Sequence, residues 1–135
     1  MVCDLDKRCQ KEFKNDLLQV LLRCNPRPET RFCCAIEEGE AWFFGDHQAI
    51  YAAYPQANKA VLENYQRDSI CGTWEKLADA LYPGGSEELK SRDWQSIGAE
   101  KSRWAEYITP HMEPERNLSP SFCYFRDKIK ELKSV

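Results

Sequence analysis

The sequence predicts a mainly α fold: a compact orthogonal bundle of five to six short helices, with one small β-hairpin near residues 32–44. Three observations carry the prediction. Apolar residues recur every three or four positions along most of the chain, the period of a helix that buries one face. Prolines, glycines and small polar capping residues interrupt that pattern at close intervals, so each helix is short. β-favouring residues flank a glycine between Arg31 and Phe44, which fits a short hairpin. With 135 residues the chain reads as a single globular domain, residues 1–135. A chain of this size buries roughly two-thirds of its unfolded surface and folds without a staple.

Residues 4–24 read as the first helix. Leu5, Cys9, Phe13, Leu17, Leu21 and Cys24 form its apolar stripe, and Asp4 is placed to cap it. Asn25-Pro26-Arg27-Pro28 ends it, because each proline lacks an N–H and disfavours helix in the residue before. From Phe32 to Phe44, apolar residues flank Glu37-Glu38-Gly39-Glu40. That fits a hairpin turning at Glu38-Gly39; the rival is a helix with Phe32, Ile36 and Phe43 inward. Asp46 suits the cap of a short helix through Ile50 and Tyr54. Pro55 suits the first position of the next, with Ala57, Val61 and Tyr65 inward. Thr73 is the expected cap of a helix carrying Trp74, Leu77, Ala78 and Leu81, which Tyr82-Pro83-Gly84-Gly85 stops. Ser86, with Glu87 and Glu88 at the positive helix end, starts an element reaching Ile108. Trp94, Ile97 and Trp104 point inward there, and Gly98 is a point of bending. Residues 109–118 form a polar, proline-rich loop. Ser119-Pro120 opens the last helix, striped by Phe122, Phe125, Ile129 and Leu132.

Composition narrows function more than any motif does. A net charge of −3 gives little attraction to phosphate, which disfavours nucleic acid as a partner. Asp4 and Asp6 stand where an export signal needs an apolar core, and the longest apolar runs fall far short of a membrane span. The expectation is a cytoplasmic protein with reduced thiols and no membrane partner. Seven cysteines and two histidines supply reactive atoms without organising them. Zinc ligands come in pairs two to four residues apart, whereas Cys33 and Cys34 are adjacent and Cys3 and Cys9 are further apart. No metal and no cofactor is expected. His47 and His111 have no supporting motif, so no catalytic residue is assigned. Gly84-Gly85-Ser86 lacks the lysine and the preceding strand of a phosphate-binding loop.

Trp74 and Trp94 have the spacing of the tryptophans in Myb-type repeats, and Lys101-Ser102-Arg103-Trp104 is similar to the end of such a repeat. The resemblance covers only the stretch from Trp74 to Trp104. It departs from the family in lacking the matching upstream tryptophan and in placing Glu87, Glu88, Asp93 and Glu100 where a recognition face would be basic.

The segment that carries the functional expectation is 37–47. Glu37, Glu38, Glu40 and Asp46 concentrate negative charge beside Trp42, Phe43 and Phe44. Acid next to aromatic surface suits contact with a basic protein partner. Glu37, Glu38, Glu40, Trp42, Phe44 and Asp46 are therefore the candidate partner-binding residues. The function expected is non-enzymatic binding of a protein: an inhibitor or immunity-type protein, or an accessory subunit of an assembly. A Myb-like nucleic-acid-binding module is the alternative, and a cysteine-dependent enzyme a third. Clustered basic residues on one face of the 86–108 element would favour nucleic acid; an apolar patch rimmed with acid would favour protein.

Overall fold

The computed structural model describes residues 1–134 and is mainly α. The chain begins with β1 (Val2–Asp4), α1 (Gln10–Leu22) and β2 (Cys33–Ala35), followed by a 3-10 helix over Gly39–Gly45. Then come α2 (His47–Ala53), α3 (Lys59–Asn64), α4 (Thr73–Leu81), α5 (Gly85–Lys90) and α6 (Trp94–Ile108). A 3-10 turn at Thr109–His111 leads to α7 (Pro120–Lys133).

The hairpin expected over 32–44 does not form, and neither does its helical rival. Cys33–Ala35 is a strand, but its partner is the N-terminus: Val2 pairs with Cys33, Cys3 with Cys34 and Asp4 with Ala35, in parallel. Parallel neighbours need a crossover, and α1 supplies it. Glu37, at φ +60°, turns the chain out of the strand. The residues after it wind into a 3-10 helix whose spacing puts Ala41 and Phe44 together on the buried side.

The first helix is shorter than its apolar period suggests. Asp4 belongs to β1 rather than capping a helix, Asp6 turns at φ +54°, and α1 starts only at Gln10. Pro55 lies in the turn before α3, whose N-cap is Asn58, accepting from the Ala60 and Val61 N–H groups. The expected long element from Ser86 is two helices, separated at Ser91–Asp93, where Asp93 caps α6 through the Ser96 N–H. Trp94, expected inward, is 78% exposed at the start of α6. Asp46 caps α2 and Ser119-Pro120 opens α7 as the sequence reading has them.

One apolar core is built from Phe44, Ile50, Leu62, Leu77, Trp104 and Ile108, so it joins the 3-10 helix to α2, α3, α4 and α6. The outer layer is different. Cys33, Cys34 and Ala35 of β2 are buried, and α7 lies against them, yet neither α1 nor α7 contains a buried residue.

Candidate functional site

The acidic segment does not form a free, solvated tip; most of its carboxylates are consumed by the fold. Glu37 is 7% exposed. Its carboxylate accepts the N–H groups of Cys71 (3.2 Å), Gly72 (3.1 Å) and Thr73 (2.9 Å), together with the Thr73 hydroxyl. These are the donors left over at the start of α4, so the cap expected from Thr73 comes from Glu37, far away in sequence. Burial pushes the Glu37 carboxyl up, but the hydrogen bonds from Thr73, Gly72 and Cys71 outweigh it and hold the group below the ordinary glutamate range. Asp46 is buried in the same manner. It accepts from the Ala49 N–H (3.2 Å), the Glu113 N–H (3.0 Å) and both arms of the Arg116 guanidinium (2.8 and 2.9 Å). Burial raises its carboxyl, and the Arg116 and backbone donors more than offset that, so it too lies low.

Phe44 is fully buried and stacks on Tyr65, with ring centroids 3.8 Å apart. Gly45 follows it against the 109–119 loop, where Asn117 donates its amide to the Trp42 carbonyl (2.8 Å) and Leu118 N–H reaches the Gly45 carbonyl (2.9 Å). A Cβ at Gly45 would fall on the Asn117 side chain, so only glycine fits there.

Glu38, Glu40 and Trp42 are placed differently. Lys101, from the middle of α6, reaches back to both carboxylates, at 3.5 Å from Glu38 and 3.2 Å from Glu40. Glu38 also accepts the Trp74 N–H at 3.1 Å. Burial pushes the Glu38 carboxyl up despite the attraction of Lys101, with Glu40 adding repulsion. Burial alone would lower the Lys101 ammonium, but Glu40 and Glu38 together raise it. Trp42 lies edge-on to Phe122 (5.4 Å) and stacked on Phe125 (5.1 Å), and its indole N–H donates to Ser121 Oγ at 2.9 Å.

This group opens onto a cleft of about 450 Å³. Trp42, Phe43, Ala105, Met112 and Phe122 form its apolar wall. Asp4, Glu40 and Lys101 stand at its polar end. Asp4 has no ion-pair partner among the described residues, so three carboxylates (Asp4, Glu38 and Glu40) gather near one ammonium. The cleft is therefore apolar in lining and anionic at one rim, large enough for one or two side chains. Phe43 belongs to the segment singled out in the sequence, but Asp4, Lys101, Met112 and Phe122 do not. These four come from β1, α6, the residue after the 109–111 turn and α7, and no local spacing links them.

The reactive side chains stay apart. Among the described residues no cysteine hydrogen-bonds a histidine, and no group of three or more His, Cys, Asp or Glu is placed to hold a metal ion. Cys3 and Cys34 face each other across the strands with 3.9 Å between their sulfurs. Burial and the neighbouring Cys3 push the Cys34 thiol up to about 11. Of the two tryptophans with the Myb-like spacing, Trp74 is partly buried against the core and Trp94 is exposed, so they do not share a core. No helix among the described residues is long and apolar enough to cross a membrane.

No protein-family model, no curated protein and no solved structure matches this chain.

Proposed function

We propose that this protein acts by binding another protein, and that the cleft beside the 39–45 helix receives a partner segment in which an apolar side chain sits next to a lysine or arginine. The observation that carries the reading is the pairing of an apolar wall with a carboxylate-rich rim. Trp42, Phe43, Met112 and Phe122 can cover an aliphatic side chain or stem, and Asp4 with the Glu38–Glu40 pair holds more negative charge than Lys101 balances. A cation at the rim gains from that excess, and its approach is steered by it. On α6 the two basic side chains that a nucleic-acid face would need are already engaged: Lys101 with Glu38 and Glu40, and Arg103 with Glu100 at 2.7 Å. An inhibitor and an accessory subunit would both use such a site.

Selection from a random peptide display library tests the proposal. The expected consensus is an apolar residue beside Lys or Arg. Binding of the selected peptides should fall at least tenfold with Ala105→Trp, which fills the cleft, and with Asp4→Lys, which reverses its free charge. Peptides that bind both variants as well as the parent protein would refute the site.

A further inference from the structure

We propose that the face formed by α1 and α7 is a second docking surface, separate from the cleft, and that its occupant is an acidic amphipathic helix of a partner protein. The starting point is α1, which has apolar residues on more of its circumference than the fold covers. At 100° per residue, Val20, Phe13, Leu17, Leu21, Leu18 and Leu22 span an arc of roughly 200°, against the stripe of about 100° that a surface helix needs. Phe13, Leu17 and Leu21 are half-buried, and Leu18, Val20 and Leu22 remain 42%, 61% and 43% exposed. Lys11, Leu18 and Leu22 share one stripe by that same rotation.

α7 lies alongside. Lys14 of α1 and Lys128 of α7 both sit over the Tyr124 ring, at 4.9 and 5.4 Å from its centroid. Tyr124 and Leu132 are each 42% exposed. Leu18 and Leu22 of α1, with Tyr124 and Leu132 of α7, leave apolar surface that the apolar stripe of an incoming helix can cover.

Charge selects the occupant. Residues 1–31 and 119–134 carry eleven Lys and Arg against seven Asp and Glu, whereas residues 32–118 carry eight against fifteen. The acidic character of the protein therefore belongs to the middle of the chain, and its N- and C-terminal segments, which carry α1 and α7, are together basic. Lys7, Lys11, Lys14, Arg23 and Arg27 have no carboxylate partner among the described residues. Carboxylates on an incoming helix would pair with them while its apolar stripe covers Leu18 and Leu22. A second copy docked through the same face would bring like charges together.

The test is a titration of isotope-labelled protein with a synthetic helical peptide of about 18 residues, leucine at helical spacing and glutamate elsewhere. A peptide with lysine for glutamate and anionic phosphatidylserine vesicles run in parallel. The expected result is saturable binding of the acidic peptide that weakens with salt, with amide shifts confined to residues 7–24 and 120–133. Leu18→Glu with Leu22→Glu should weaken it at least tenfold while the circular-dichroism melt is kept. Lys7→Glu with Lys11→Glu, which leaves every apolar contact intact, should weaken it too and flatten the salt dependence. Failure of the acidic peptide to bind, equal binding of the lysine peptide, or shifts elsewhere would overturn the proposal. So would tighter binding to the vesicles, or a dimer in sedimentation that the leucine substitutions abolish.

Discussion

Glu37 shows how much a single side chain contributes here. It ends β2 at a left-handed φ and then caps α4 from 36 residues away. Glu37→Gln keeps the shape but replaces a charged acceptor with a neutral one and turns an NH2 toward other donors. The expected loss is about 2 kcal/mol in denaturant unfolding at neutral pH. The sign with pH follows from the low-lying carboxyls of Glu37 and Asp46. Their contribution is complete above the unfolded carboxylate range, roughly pH 4, and is lost as pH falls through their folded values. Acid unfolding should therefore steepen below about pH 4, and the Glu37→Gln variant should show a flatter acid limb. Trp104 makes the contrasting case: fully buried, with its indole N–H unpartnered. Trp104→Ala should cost about 3–5 kcal/mol, and Trp104→Phe clearly less, because it removes an unmet donor along with the volume. Thiol reactivity should follow burial. In the native protein Cys9, Cys24 and Cys71 should react with a disulfide reagent in the fast phase, and Cys33 and Cys34 only after unfolding.

At the scale of elements, local chemistry was legible and distant chemistry was not. Asp46 and Ser119-Pro120 announced their helix starts because the signal lies within three residues of the helix it serves. The cap of α4 by Glu37, and the Asp68 carboxylate accepting the Ser121 N–H at the start of α7, have no signature in sequence. The segment 32–44 was misread for a related reason. Its β-favouring residues do form a strand, but the partner is Val2–Asp4, across α1, and pairing over that distance leaves no local turn to find. Of the candidate site, the acids and aromatics were visible as a cluster, but their division was not: Glu37, Phe44 and Asp46 go inward, while Glu40 and Trp42 line the cleft. Gly45 holds that division in place. Gly45→Ala should cost about 1–3 kcal/mol by forcing Asn117 off the Trp42 carbonyl, read as a lowered melting temperature.

Across the whole molecule, packing is uneven. The core from Phe44 to Ile108 is closed, whereas α7 rests on β2 and the 39–45 helix, and neither α1 nor α7 has a buried residue of its own. Local opening should follow that division: amides of α1 should exchange far faster than those of α4 and α6, without global unfolding. Both docking surfaces draw on the outer layer. α7 contributes Phe122 to the wall of the cleft and Tyr124 to the basic face, and β1 contributes the free Asp4. A cleft that takes an apolar–basic segment of a partner changes the surroundings of Trp42, whose indole N–H reports on it directly. On titration with a display-selected peptide, the Trp42 indole, the Met112 methyl and the Lys101 side chain should shift, with the exposed Trp94 indole unmoved. Shifts centred on Trp94 or on the α3–α4 surface, with Trp42 silent, would contradict it.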